Sequence, residues 1–355
     1  MAAIVDGRSW WQALLDVEAA LARACAREGE IPPDAAAAIV GACRVERFDL
    51  DRLGREAAAS ASPVVPLAAA LREASNEHAH HGATSQDILD TAMMLLARRA
   101  LVAIGADAAG AADAAAALAE RHRDTPIMAR TVLQPALPTS FGLKAAGWLV
   151  GLEEAIAALV AVREEQLAVQ MGGPVGHRGP GVAARVAADL ELVVPVLPWA
   201  ADRTRPAALA AALGLTAGAL AKVARDVALL AQAEVGEARE GGEGGRSSAM
   251  AHKRNPAAAV SVLACAHRVP GLVATVLGGM AQEHERAAGL WQAEWGTISD
   301  ALRLTGSAAA WTRELLARLE VDPERMRANL TGEPDLGAAG ELVDRALLAH
   351  RAAAR

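Results

Sequence analysis

The chain has 355 residues, with 35 basic against 42 acidic side chains, a net charge of −7, and 53% hydrophobic but only 3% aromatic residues. That balance excludes a basic, base-stacking surface, so nucleic acid is not an expected partner. No uncharged apolar run reaches the roughly 18 residues of a membrane helix, so no membrane partner is expected either. Alanine, the best helix former, dominates the apolar set, and an all-α protein is predicted. Alanine faces bury little area each, so such a bundle needs long helices or further copies of itself to complete a core. Cys25, Cys43 and Cys265 are scattered without CxxC spacing, and no His/Cys group has metal spacing. Buried, reduced thiols in a cytoplasmic protein are expected, and MAAIVDGRSWWQ carries no secretory pattern.

In chain order, Trp11, Leu14, Leu15, Val17 and Leu21 recur at helical spacing and predict a helix over about 8–28. Pro32, Pro33 and Asp34 end it and start another. Two prolines break SASPVVP at 60–66, where Ser60 and Ser62 suit helix capping. In EHAHHGATSQDILDT (77–91), short polar residues precede a long helix predicted from Ile88 to about Arg121. Thr84 or Ser85 suits an N-cap. A helix N-terminus also presents free N–H groups to a carboxylate. Asp124, Thr125 and Pro126 stop this helix. ARTVLQPALPT (129–139) reads as a proline-rich turn, which leaves Arg130 and Gln134 unexplained. A second long helix is predicted from Phe141 to Gln170 and a third from Pro206 to about Arg239.

The third helix leads to GGEGGRSSAMAHKRNP (241–256), where four glycines fall within five residues and no helix can form. The stretch reads as a glycine-hinged loop presenting Ser247, Ser248, His252, Lys253 and Asn255. A serine hydroxyl moves a proton only when its anion is stabilised or a base is near. A fixed ammonium and an amide N–H favour charge arriving on carboxylate oxygens when a proton leaves the adjacent carbon. A plain linker would not carry MAHKRNP. A fourth helix begins at Pro256, runs to about His267, kinks at Pro270 and Gly271 and continues towards Gln282. QEHERAAGLWQAEWGT (282–297) presents a polar and aromatic face whose two tryptophans suit packing between helices. Two or three helices follow from Asp300.

Several of these strings carry a resemblance. SSAMAHKRNP resembles GSSxMPxKxNP, the signature loop of the fumarase/aspartase superfamily, with Arg246 at the usual glycine and Ala251 at the usual proline. HHGATSQDILDT resembles HxGATSQDxxDT of the same superfamily. ARTVLQPALPT resembles GRTHLQDAxPxT; Arg130, Thr131 and Gln134 match, but Val132 stands where amine-releasing members carry a histidine acid. Valine cannot protonate a leaving amine, which argues against an adenylosuccinate- or argininosuccinate-type lyase. MGGPVGHRGPG is similar to a GGAVGT string with His177 at the threonine. LPWAADRTR is similar to PWHTxRDR, keeping Trp199 and Arg203 but placing Ala200 at the histidine. EHERAAGLWQAEW resembles the form carried by the 3-carboxy-cis,cis-muconate cycloisomerase branch.

The resemblance implies a long-helix bundle of the fumarase/aspartase type, assembled as a homotetramer around a central multi-helix core. Each active site would draw on three subunits. Residues 1–87 would form an N-terminal helical domain, 88–298 the central bundle with the loop at 241–256, and 299–355 a short C-terminal domain. The implied substrate is a small polycarboxylate, the implied reaction a lactonization in aromatic degradation, and neither metal nor organic cofactor is required. Ser247 would deliver a proton to carbon, while Lys253 and Asn255 stabilise an enediolate-like carboxylate. Thr84 and Ser85 would bind carboxylate with Gln86 assisting. Arg130, Thr131, Gln134, Ser248, Met250, His252, His81 and Arg203 would complete the substrate site. Asp87 and Asp90 are expected to be structural, and His78 and His80, which match no motif, to be exposed. Two alternatives stay open: a succinyl-type lyase releasing fumarate, and a paralogue impaired by Arg246, Ala251 and Ala200. Ser247, Lys253 and Asn255 argue against the second.

Overall fold

Acidic side chains start several helices. Asp6, Asp49 and Asp322 each accept the N–H three residues on, from Ser9, Arg52 and Arg325, at 2.8, 3.0 and 2.9 Å. The structure, a computed structural model, describes all residues except Glu243, Ala251, Ala354 and Arg355. In chain order the helices are α1 (Ala2–Val5), α2 (Gly7–Arg27), α3 (Pro33–Ala42), α4 (Leu50–Ser60), α5 (Val64–Ala74), α6 (Ser85–Arg121), α7 (Phe141–Glu165), α8 (Pro180–Leu190), α9 (Thr204–Leu230), α10 (Ala257–Gly278), α11 (Leu290–Ala317), α12 (Pro323–Ala328) and α13 (Ala339–Ala353). Two short antiparallel ladders accompany them: β1 (Pro126–Thr131) with β2 (Gln134–Ser140), and β3 (Ala238–Glu240) with β4 (Leu319–Val321).

The chain forms two compact units, each discontinuous in sequence. The first comprises Met1–Val102, Ala161–Ala211 and Gly271–Arg303. In it α2 packs on α3 and α8, burying Leu14, Leu15 and Leu21. Arg23 of α2 reaches Asp189 of α8 at 2.7 Å. Burial pushes the Cys25 thiol up to about 11 and the Cys43 thiol up to about 12, so both stay protonated and inert. Cys265 is half-exposed rather than buried as expected.

The second unit comprises Ala103–Val160, Ala212–Pro270 and Leu304–Arg355. Here Phe141 stacks edge-on against His122 and Trp148, with ring centroids 5.4 and 5.7 Å apart. Ser140 caps α7 by accepting the N–H of Leu143 at 3.0 Å.

Three sequence expectations are corrected. Residues 126–140 are a hairpin, not merely a proline-rich turn; Thr131 faces Gln134 across a two-residue loop. Its central residues, Val132 and Leu133, have φ of +49° and +64°. Such turns favour asparagine and glycine, so nothing in the sequence announced this one. The third long helix stops at Leu230, well before Arg239, because Gly236 turns the chain at φ +63° and residues 238–240 pair with β4. The fourth continues through Pro270 but ends at Gly278, short of Gln282.

By length and composition α6, α7, α9 and α10 are apolar enough to cross a membrane. All four nonetheless carry charged side chains, such as Arg98 and Arg99 in α6 and Lys222 and Asp226 in α9. Only 22% of the apolar stretch of α10 is buried within the chain.

Candidate active site

The first cluster lies in the first unit, at the start of α6. Asp87 is fully buried and accepts four N–H groups: Gly172 at 2.9 Å, Gly173 at 2.9 Å, Thr84 at 3.1 Å and the Gln170 amide at 3.1 Å. Burial pushes its carboxyl up, and the four donors hold it back. A side chain at 172 would come within 2.7 Å of Pro198, and at 173 the backbone φ is +72°; the glycine pair lets the chain approach Asp87.

One turn further on, Asp90 shares the buried Arg203 with Glu294. Arg203 Nη1 lies 2.7 Å from Asp90 Oδ2 and Nη2 2.6 Å from Glu294 Oε2; all three side chains are at most 2% exposed. Trp291 Nε1 donates to Asp90 at 2.9 Å, and Gln282 donates to Glu294 at 2.9 Å. Burial alone would lower the Arg203 pKa, but the two carboxylates outweigh it and raise it. Burial also pushes the Glu294 carboxyl up, against the pull of Arg203. Arg203 spends its remaining donor on the Ala200 carbonyl at 3.1 Å, so no N–H is left for a substrate. Within this chain Arg203 is therefore held as part of the buried scaffold. Ala200 acts here through its backbone, which explains why losing the family histidine leaves the cluster intact.

Gln86 is likewise buried. Its Nε2 donates to Asp90 at 3.1 Å and to the Ala200 carbonyl at 2.7 Å, and its Oε1 accepts Arg286 Nε at 3.1 Å. Gln86 therefore holds a neighbour in place and presents no free edge of its own. Arg286 also donates to Thr84 Oγ1 at 2.7 Å. Among the expected residues, Thr84, Ser85 and His81 remain half-exposed, with His81 3.8 Å from Glu30. His80 is not exposed: it sits at φ +64° with Nδ1 2.6 Å from the buried Glu18. His177 is exposed.

The second and third clusters lie in the second unit. Arg130 makes a two-pronged contact with the fully buried Glu237, 2.8 Å on each side, and Asn329 donates to the same carboxylate at 2.8 Å. Arg130 thus ties the hairpin to the residue just before β3, on the path to the signature loop. Thr131 and Gln134 stand exposed at the hairpin tip, beside Val132 at 94% exposure.

The loop closes on itself. The Gly245 carbonyl accepts both the Asn255 N–H at 2.8 Å and its side-chain amide at 3.1 Å, and the backbones of Arg246 and Arg254 pair antiparallel. Gly245 has φ +71°, and a Cβ there would lie 2.0 Å from the Asn255 carbonyl oxygen. Ser247 Oγ accepts the N–H groups of Ala249 and Met250 at 3.3 and 3.2 Å. Ser248, Met250, His252 and Lys253 are exposed, and the Lys253 side chain has no hydrogen bond or ion pair among the described residues. Glu240 caps α10 through the N–H groups of Ala258 and Ala259 at 3.0 and 2.8 Å. A cavity of about 790 Å³ adjoins the loop, lined by His252, Arg254, Asn255 and Glu240 among others. Ala251, one of the two departures in the signature, lies outside the described residues.

A family model described as lyase matches residues 3–271. The chain belongs to that lyase family, the fumarase/aspartase superfamily. Within the family, it is 45% identical over 345 residues to the 3-carboxy-cis,cis-muconate cycloisomerase of Bradyrhizobium diazoefficiens, covering 93% of this chain and 76% of the relative. It is also 45% identical over 354 residues to the nitrosuccinate lyase of Streptomyces davaonensis, covering 92% of this chain and 74% of the relative. Among family structures, the 3-carboxy-cis,cis-muconate lactonizing enzyme of Pseudomonas putida superposes with a TM-score of 0.95 at 34% identity, covering 100% of this chain and 97% of that one. Sequence reasoning overlooked Arg286, whose EHER context served only as a fingerprint, and Glu237, which no motif marks.

Proposed function

We propose that the chain is a 3-carboxy-cis,cis-muconate cycloisomerase, a cytoplasmic homotetramer that needs no cofactor. The observation that carries this reading is the likeness along the whole chain to the lactonizing enzyme of Pseudomonas putida. The loop's geometry supports it. Two N–H groups directed at Ser247 Oγ stabilise a developing alkoxide, which lets the hydroxyl give up its proton. The Lys253 ammonium, which has no partner among the described residues, and the Asn255 amide suit a carboxylate on which charge accumulates.

In this mechanism one carboxylate oxygen of the substrate adds to the conjugated double bond and closes the ring. The displaced π pair moves to the carbon beside a second carboxylate, whose oxygens share the charge with Lys253 and Asn255. That carbon takes the proton of Ser247, and solvent restores it. The substrate trianion plus one proton gives the lactone dianion. Thr84 and Ser85 hold carboxylate; Thr131, Gln134, Ser248, Met250, His252 and His81 shape the site. The half-covered apolar helices supply the faces on which four copies assemble, each site drawing on three of them. Buried, inert Cys25 and Cys43 suit a reducing compartment.

A second reading, elimination from a succinate, is raised by the 45% identity to a nitrosuccinate lyase; Val132 removes the acid that an amine would need, but a leaving group expelled as a stable anion needs none. The assay separates the two. Absorbance of the substrate diene should decay with wild-type protein, and Ser247→Ala should lower kcat by about 10³-fold with an unchanged melting temperature. Release of fumarate from nitrosuccinate, with no decay of the diene, would establish the second reading instead.

A further inference from the structure

Arg286 is an exposed guanidinium held entirely by neutral acceptors: Gln86 Oε1 at 3.1 Å, Thr84 Oγ1 at 2.7 Å and the Pro174 carbonyl at 3.5 Å. Among the described residues no carboxylate pairs with it. Other arginines of the same unit are neutralised, Arg178 by Glu30 and Arg98 by Glu191. The acceptor that fixes Arg286 is itself fixed. Both Nε2 hydrogens of Gln86 are committed to Asp90 and to the Ala200 carbonyl, so only its Oε1 can face outward. Asp90 is locked in turn by Arg203 and Trp291. A chain of buried groups thus props up one surface cation without supplying a counter-charge. Both Nη1 hydrogens of Arg286 remain uncommitted. Thr84 Oγ1 accepts from Arg286 and keeps its own hydrogen to donate. A guanidinium beside a hydroxyl donor is a carboxylate receptor, and its planar fork suits two-point binding.

We propose that Arg286 binds the carboxylate that distinguishes a tricarboxylate substrate from a dicarboxylate one, and that Gln86 positions it. This rests on the cycloisomerase reading, whose substrate has three carboxylates, and it assigns the recognition of one of them. Of the arginines expected to do this from the sequence, Arg203 has every N–H engaged by buried acceptors, and Arg130 directs both ends of its fork at the buried Glu237.

The test combines turnover with calorimetric binding of two inert probes, propane-1,2,3-tricarboxylate and glutarate. In Arg286→Met, KM for carboxymuconate should rise about 10- to 100-fold, since a hydrogen bond to a charged group is worth about 1.5–3 kcal/mol, while kcat stays within about threefold. Tricarboxylate binding should weaken by the same factor and glutarate binding by less than about twofold. Arg286→Lys, which keeps the charge but not the fork, should fall between. Gln86→Met should shift the tricarboxylate-to-glutarate ratio in the same direction by less, a change that a merely structural role would not produce. Equal weakening of both probes, or no weakening of either, overturns the inference, as does a wild-type protein that does not prefer the tricarboxylate. Wild-type turnover with an unmoved Arg286→Met leaves the cycloisomerase reading standing and removes only this one. Absence of wild-type turnover removes the functional reading, and the two probes then still decide whether Arg286 selects a third carboxylate.

Discussion

The start of α6 and the loop at 241–256 are both long polar motifs, but they are built in opposite ways. At the start of α6, Asp87 has four N–H donors and every N–H of Arg203 has an acceptor, all out of water. In the loop the bonds are short-range, and Ser248, His252 and Lys253 face solvent. Buried, fully satisfied networks are rigid and hold geometry, whereas segments with few buried contacts open most readily. One motif is therefore built as a rigid floor and the other as an open, lightly held loop. A match to a family string does not tell which letters touch substrate: in GATSQD, Gln86 and Asp87 belong to the floor.

The largest expected effect is on the floor. Arg203→Met leaves Asp90 and Glu294 buried without their cation, and removing one partner of a buried pair costs about 3–5 kcal/mol. Denaturant midpoints at fixed protein concentration would measure it. A variant as stable as wild type would show that the cluster is not scaffold, and the contrast with the loop would collapse. The loop should respond differently. In Gly245→Ala, the new Cβ meets the Asn255 carbonyl oxygen at 2.0 Å and the backbone must leave φ +71°. The Gly245–Asn255 closure then breaks, and the loop opens locally. Because the loop contributes little to the core, kcat/KM should fall about 10- to 100-fold while the global melting temperature stays nearly fixed. A large loss of stability with intact activity would reverse the assignment.

Much of the fold was legible because its signals are repeated. Alanine-rich runs of helical period set out α6, α7, α9 and α10, and the glycines of 241–245 marked the loop. What was not legible depends on contacts between distant residues. Val132 and Leu133 carry no turn chemistry, so only pairing of 126–131 with 134–140 reveals the hairpin. Glu237 looks like any helical glutamate until Arg130 reaches it. Arg203 is marked by a motif, and only the fold shows that Asp90 and Glu294 converge on it out of water. Arg286 stood inside a recognised string, yet that no carboxylate among the described residues pairs with it is visible only in three dimensions.

Lys144 sharpens the contrast from the other side, because it is a half-buried cation of the second unit without what Arg203 has. Among the described residues its ammonium has no hydrogen bond or ion pair, and the nearby Asp226 is taken by Lys222 and Trp148. Burial holds its pKa below the ordinary lysine value; Asp226 opposes this, and Lys222 and Arg130 reinforce it. Below that lowered pKa both folded and unfolded chains carry the proton, and the folded state bears the full cost of desolvating it. As pH rises from the lowered value towards the unfolded value of about 10.4, the folded chain sheds the proton first and the cost disappears. Lys144→Met should therefore stabilise the protein at pH 7, on the order of 0.5 kcal/mol, and the gain should shrink as the pH rises through that window. The same type of replacement would thus have opposite signs at two cations, because one is fully paired and the other is not. A destabilised Lys144→Met at pH 7, measured by thermal unfolding beside wild type, would show that this ammonium has found a partner after all, in another copy of the chain.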